Sequence, residues 1–291
     1  MKNKQLISVG IPTFNSSKYL ESCIKSVVSK KTVGEVLISD DCSNESEFKN
    51  IKEIVKQFGQ QKNIRLIRNE KNIGAYENKL KLIENSFHDF IYILDSDNLS
   101  GQNLDTIVEN LFKNNDLNES YLIQPNIMYQ FWKYPKFAKL FCKFNKKYIV
   151  KFYESDKVLK SKDIKTSLLL NSGNYDLKNF SKELEVNVQK INYKDTLKSK
   201  WIFWVLNCGN FIVNKNAMKD IAKKGLKIDR EIRSVDAIAF SYLWLSSGKE
   251  IKIINEFFHH HRKREDSVSF TERDNSKKGI EFFIEKVLIN F

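Results

Sequence analysis

Apolar positions in the first hundred residues recur with two different periods. Leu6–Ile11, "EVLISDD", "NIRLIRNE" and "DFIYILDSD" are short runs, apolar on both faces and rich in Ile, Val and Leu. Such runs predict strands buried on both sides. Between them lie segments with apolar residues at helical spacing. Tyr19, Leu20, Cys23, Ile24, Val27 and Val28 form the first stripe; "EFKNIKEIVKQFG", closed by Gly59, and "AYENKLKLIENSF" form the next two. Pro12 is expected to stop the first strand and Ser16 or Ser17 to cap the first helix. The alternation of strand and helix over residues 5–97 predicts an α/β fold, a mostly parallel sheet with helices on both faces.

Beyond residue 126 the pattern loosens. "WIFWVLNCGNFIVNKNAM" has strand character around Gly209, and "VDAIAFSYLWLSSG" reads as a buried helix closed by Gly248. "EIKIINEFFHHHRKREDSVSF" reads as a strand running into a loop rich in His and Arg, and "KKGIEFFIEKVLINF" as a short amphipathic helix. No repeat or low-complexity linker divides the 291 residues, which favours one compact domain with an elaborated second half.

The polar residues at the strand ends carry the chemistry. In open α/β sheets ligands bind outside the carboxyl ends of the strands. "PTFN", "DD" (Asp40, Asp41) and "DSD" (Asp95, Asp97) all fall there. A single acidic turn is ordinary, since Asp, Ser and Asn favour turns. Several polar ends gathered on one sheet edge define a site. Two carboxylates one residue apart suit a hard divalent cation whose remaining ligands are phosphate oxygens. The chain has no GxxxxGKS/T, no GxGxxG after its first strand and no HExxH. That leaves metal-assisted chemistry on a diphosphate, with a nucleoside pocket near Asp41.

Composition adds less. The net charge of +13 fits anionic partners without choosing among them. The four cysteines, Cys23, Cys42, Cys142 and Cys208, have no metal-binding spacing and read as thiols in a reducing compartment. No apolar run reaches the roughly 18 residues of a membrane span, and the first residues lack the apolar core of a signal peptide. A cytoplasmic location is expected.

"ISVGIPTFNSSKYLESCIKSVVS", "EVLISDDCSNE", "NEKNIGAYENK" and "YILDSDN", in that order, resemble the motifs of family 2 glycosyltransferases. The resemblance covers about the first hundred residues well and the rest in patches. It implies a GT-A (Rossmann-like) fold, with residues 1–125 as the donor half, 126–270 as the acceptor half of the same domain and 271–291 as a C-terminal amphipathic helix. It also implies an inverting, metal-dependent transfer of one sugar, EC 2.4 in type, from a nucleotide-sugar donor. UDP is the expected nucleotide, and the expected acceptor is a glycan or lipid-linked saccharide of the bacterial surface. Pro12 and Phe14 match the loop lining the base, and Asp41, with Asp40 beside it, the acid that reads uracil or ribose. Asn72, Gly74 and Asn78 match the segment near the nucleotide. Asp95 and Asp97 match the DXD motif, whose last acid meets the Mn2+ or Mg2+ bridging the phosphates.

In the second half Asp236 of "SVDAIAF" matches the acceptor-side acid and is the candidate base, with Val235 where the family often has Glu. A helix N-terminal acid is the plain alternative, and Asp229 and Glu231 compete for the role. "NCGNF" resembles the acceptor-side lining, with Asn207, Gly209 and Asn210 as candidates. "HHHRKREDSVS" resembles the late loop over the diphosphate, with Arg262 and Arg264 as phosphate clamps and His259 or His261 as a further metal ligand. On extended chain His259 and His261 share a side. The missing QxxRW motif near Trp244 implies one sugar per encounter.

Residues 128–153 interleave aromatics with lysines and contain no acid. As an amphipathic helix this stretch suits the anionic inner face of the cytoplasmic membrane; as ordinary core it builds the acceptor side. Two other functions fit parts of the chain. A sugar-1-phosphate nucleotidyltransferase needs a Gly-rich, Arg-containing loop that "PTFNSSKY" does not supply. A basic nucleic-acid binder explains the charge but not acids at three strand ends, so no nucleic-acid partner is expected.

Overall fold

The computed structural model describes residues 5–59, 63–131, 149–160, 206–223 and 236–264. The predicted alternation is present as β1 (Ile7–Thr13), α1 (Ser17–Val27), β2 (Val33–Asp40), α2 (Glu45–Phe58), β3 (Asn63–Arg68), α3 (Ala75–Asn85) and β4 (Phe90–Ile93). There follow β5 (Leu99–Ser100), α4 (Leu104–Lys113), β6 (Tyr121–Phe131), β7 (Ile149–Lys151), β8 (Lys157–Leu159), β9 (Phe211–Asn214), α5 (Lys215–Ala222), α6 (Asp236–Ser246) and β10 (Glu250–Arg262).

The ten strands among the described residues join one sheet. Its order is β3-β2-β1-β4-β9-β6-β10-β5, with β7 on β6 and β8 on β10. β1 to β4 pair in parallel, β9 is antiparallel to β4, and β6 and β10 run parallel along a long shared ladder. The second half therefore continues the first half's sheet. The boundary at residue 125 falls inside β6, and residues 271–291 lie outside the described residues.

The sheet is buried on both faces because successive residues of its central strands point to opposite sides. Ile91 and Ile93 of β4 pack with α3, α5 and α6, whereas Tyr92 and Leu94 pack with α1 and α4. Each such aliphatic side chain contributes about 1.5–3 kcal/mol on burial. At Gly10 α3 and β4 come so close that an added Cβ would stand 2.8 Å from Ile91 Cδ1 and 3.3 Å from Leu82 Cβ.

Three expectations are corrected. Pro12 does not stop β1. Gly10 faces β4, where its carbonyl accepts the Leu94 N–H at 2.9 Å, and Thr13 faces β2, where its carbonyl accepts the Asp41 N–H at 2.9 Å. Pro12 thus faces the β4 side beyond the last β1–β4 pair, Gly10 with Ile93, where its missing N–H breaks no ladder bond. The histidine run is not in a loop: β10 extends through it to Arg262. Finally, the basic aromatic stretch is strand at both ends, residues 128–131 in β6 and 149–151 in the antiparallel β7, and not an amphipathic helix there. Residues 132–148 lie outside the described residues.

Ser16 occupies the N-cap of α1, but its hydroxyl makes no capping bond. The Ser17 N–H donates instead to Glu47 Oε2 at 2.9 Å, so a side chain of α2 satisfies the start of α1. Gly248 ends α6 with φ of 80°, as a helix-closing glycine does.

Candidate active site

Parallel pairing of β2, β1 and β4 brings Asp40–Asp41, Thr13–Asn15 and Asp95–Asp97 to one edge of the sheet. A chain of hydroxyls ties these ends together. Thr13 Oγ1 and Ser16 Oγ lie 2.8 Å apart, and Ser16 Oγ and Ser96 Oγ 2.9 Å. Phe14 stands on the rim, 44% exposed. The DSD stretch is also a turn, with the Asn98 N–H donating to the Asp95 carbonyl at 2.9 Å. The turn aims its carboxylates beyond β4.

Asp41 and Asp40 face different neighbours. The buried Asp41 carboxylate accepts from Asn69 Nδ2 and Ile73 N at 2.8 Å each and from Gly74 N at 2.9 Å. It holds the 69–74 loop, where Gly74 has φ of 90° and Asn72 is exposed. Asn78 donates to the Ser39 carbonyl at 3.0 Å and accepts from Asn69 at 3.2 Å, fixing α3 against the end of β2. Asp40 is fully buried; Ser43 donates to both of its oxygens, and Arg68 Nε lies 3.5 Å away. Burial pushes the Asp40 carboxyl above its ordinary value, with Ser43 and Arg68 opposing. Its carboxylate serves the turn into α2 and leaves no surface for a donor.

The centre of the site is a residue the sequence reading missed. Lys79 of α3, its side chain 4% exposed, places Nζ 2.8 Å from Asp95 Oδ1 and 2.6 Å from Asp236 Oδ2. Burial favours the neutral amine, but Asp236 and Asp95 outweigh it and hold the ammonium above its usual range. Burial pushes the Asp95 carboxyl up to about 6; Lys79 restrains the rise, and Asp236 and Asp97 add to it. Asp236 opens α6, as the plain helix-terminus reading requires, and faces Asp95 through the same ammonium. "NCGNF" closes this arrangement. Asn210 Oδ1 accepts the Asp95 N–H at 2.9 Å, and an added Cβ at Gly209 would stand 2.5 Å from Asp95 Oδ2. Asn207 is half-buried just before them. Asp229 and Glu231 lie outside the described residues.

On the other side of the turn Arg264 Nε meets Asp97 Oδ2 at 3.0 Å. Arg262 lies between the Tyr19 and Phe131 rings, 4.8 and 4.6 Å from their centres, and donates to the Asp97 carbonyl at 3.1 Å. His259 and His261 do share a side, their ring centres 6.1 Å apart. Burial lowers the pKa of both imidazoles, and Asp97 opposes the fall at His261. His259 Nδ1 is buried without a partner. Among the described residues no three His, Cys, Asp or Glu side chains form a ready metal cluster. Asp97 and the nearby His261 nevertheless offer donor atoms that fit a divalent cation taking most of its ligands from a bound diphosphate.

The cysteines give a direct check on this geometry. Burial, then Asp97 and Asp95, raise the Cys23 thiol well above its ordinary value; burial raises Cys208 to about 12. Cys42, next to Asp41, is half-exposed. In a Cys142→Ser variant, Ellman's reagent is expected to modify one thiol rapidly in the native protein and all three in denaturant, because thiolate is the reactive form. Rapid native labelling of Cys23 or Cys208 would show that the floor beneath Asp95 is open.

Strand-end acids and a turn bearing two aspartates, gathered at one edge of a mixed, mostly parallel sheet, fit a GT-A architecture. Residues 8–158, just over half of the chain, match the family described as glycosyl transferase family 2. The chain belongs to that family. An uncharacterised glycosyltransferase of Methanocaldococcus jannaschii is 31% identical over 102 residues, 34% of each chain. Among solved structures, S. aureus TarS 1–349 in complex with UDP-GlcNAc superposes with a TM-score of 0.59 at 15% identity, covering 90% of this chain and 60% of that one. GalNAc-T7 with UDP, GalNAc and Mn2+ gives 0.55 at 15% identity, covering 91% and 45%. The chain thus spans a third of the length of the curated relative and 60% of the TarS chain. Among the described residues no helix is long and apolar enough to cross a membrane.

Proposed function

We propose that this chain transfers a single sugar, with inversion, from a UDP-sugar to a hydroxyl of a glycan or lipid-linked glycan acceptor. The observation that carries this reading is the pairing of a donor-side acid, Asp95, with an acceptor-side acid, Asp236, across one buried ammonium. TarS in complex with UDP-GlcNAc and GalNAc-T7 with UDP support the choice of uridine. Phe14 stacks on the base, the loop held by Asp41 lines the nucleoside, and Arg262 and Arg264 clamp phosphate oxygens.

The acceptor oxygen attacks the anomeric carbon from the face opposite the leaving group. The bond from that carbon to the β-phosphate oxygen breaks, and UDP departs with the bonding pair. The acceptor proton passes to the Asp236 carboxylate. Asp97 and His261 would hold a Mn2+ or Mg2+, which when bound supplies Lewis-acid stabilisation of the departing diphosphate. The setting proposed is bacterial surface-glycan synthesis, cytoplasmic or at the inner membrane face. The net charge of +13 suits an acceptor presented at an anionic surface.

Calorimetry with UDP, GDP, CDP and dTDP, each with and without Mn2+, tests the donor site. UDP is expected to bind only with Mn2+, and Asp97→Ala to weaken that binding at least about tenfold, the loss of one charged ligand. Binding of no nucleotide under either condition would reduce the DSD stretch to a turn.

A further inference from the structure

We propose that Lys79 is the positioning residue that sets where the Asp236 carboxylate stands relative to the donor; this rests on the glycosyltransferase reading above. Among the described residues its side chain is one of the few buried charged groups, and it touches both halves of the site. The contacts are Asp95 Oδ1 at 2.8 Å, Asp236 Oδ2 at 2.6 Å and the Gly209 carbonyl at 3.4 Å. Those partners come from three separate places in the chain: the end of β4, the segment before β9 and the first residue of α6. Lys79 is anchored on the inner face of α3, between Tyr76 and the buried Leu82 and Ile83, so the shared ammonium cannot drift toward solvent.

The geometry leaves each acid a different task. Asp95 is bound by Lys79 through one oxygen, and its other oxygen lies against Gly209, where even a methyl group would clash. Asp236 gives only Oδ2 to Lys79, and Oδ1 remains to receive a proton from an acceptor. Two carboxylates this close to one another repel unless a cation stands between them, and a displacement of about 1 Å at a reacting group can cost ~10²-fold in rate. A lysine whose only task were to neutralise Asp95 would need no contact with α6.

The test separates neutralisation from positioning. Lys79→Met removes the ammonium, and Lys79→Arg keeps the positive charge while displacing it. Each is compared with wild type by calorimetry with UDP and Mn2+, by hydrolysis of a UDP-sugar that wild type consumes, and by hydrogen exchange over residues 236–246. Positioning predicts that Lys79→Arg, which still neutralises Asp95, binds UDP–Mn2+ with near wild-type affinity and keeps its donor KM, while kcat falls by about 10²-fold. Exchange across α6 should quicken in both variants. A Lys79→Arg variant with kcat within about threefold of wild type overturns the proposal, since charge alone then suffices and the misplacement cost is far larger. If wild type consumes no UDP-sugar, the glycosyltransferase reading fails, and exchange alone decides the positioning role. Faster exchange over 236–246 then supports it, and unchanged exchange overturns it.

Discussion

Asp236→Asn is expected to leave UDP–Mn2+ binding close to wild type and to lower kcat about 10²- to 10⁴-fold, the usual contribution of a positioned general base. The asparagine keeps the size of the side chain and an oxygen to face Lys79 Nζ, so α6 and the ion-pair geometry are disturbed little. It cannot accept a proton from an attacking hydroxyl. Donor KM should therefore change far less than kcat, the pattern of a group used only as the reaction proceeds. Steady-state transfer, or hydrolysis where the acceptor is lacking, reads both parameters. If kcat stays near wild type, Asp236 is only the acidic first residue of a helix, and Asp229 and Glu231 become the acids to test.

The second large effect is on stability and lies at the opposite edge of the sheet. Glu35 in β2 is fully buried and accepts from Ser8 Oγ at 2.6 Å, Phe87 N at 2.8 Å and Arg65 Nη1 at 2.6 Å. Glu35→Ala removes the shared acceptor of a guanidinium, a hydroxyl and a backbone amide at once. The part-exposed Arg65 keeps the Asn85 carbonyl at 3.0 Å, so the main loss is the two buried donors left without a partner, at about 1–3 kcal/mol each. Urea denaturation should show the loss as a lower midpoint. Glu35→Gln, which keeps an oxygen for the Phe87 amide, should lose less. Both variants should bind UDP–Mn2+ as wild type does once folded, because Glu35 lies at the start of β2 and the site at its end. A Glu35→Ala protein as stable as wild type would mean that water replaces all three bonds.

The elements of the first hundred residues were legible because their apolar runs and stripes are long and the strand ends are polar for a reason. Asp41, Asp95 and Asp97 stood out on that ground alone. Other features were hidden by the limits of periodicity. His259 and His260 of β10 are buried, yet they read as a polar loop because strand patterning recognises apolar side chains, not imidazoles. Pro12 looked like a terminator because the sequence does not show which neighbour its backbone faces. Lys79 was overlooked although a signal existed: it falls three residues after Tyr76 and three before Leu82, on the apolar stripe of α3, where a lysine needs an acidic partner. Asn69 offered no such signal. Its place beside Asp41 follows from how the loop after β3 folds back.

Arg262 lies at the end of a thirteen-residue strand, pinned between two aromatic rings. A clamp on a mobile lid loses rotamer freedom when it closes on a phosphate, at about 0.5–1.5 kcal/mol for each immobilised side chain. Arg262 has already surrendered that freedom on folding. On the proposed reading, its contact with the donor diphosphate should therefore show little entropic penalty in calorimetry. Loosening the clamp by Tyr19→Ala should weaken binding through entropy more than through enthalpy, although Tyr19 itself need not touch the donor.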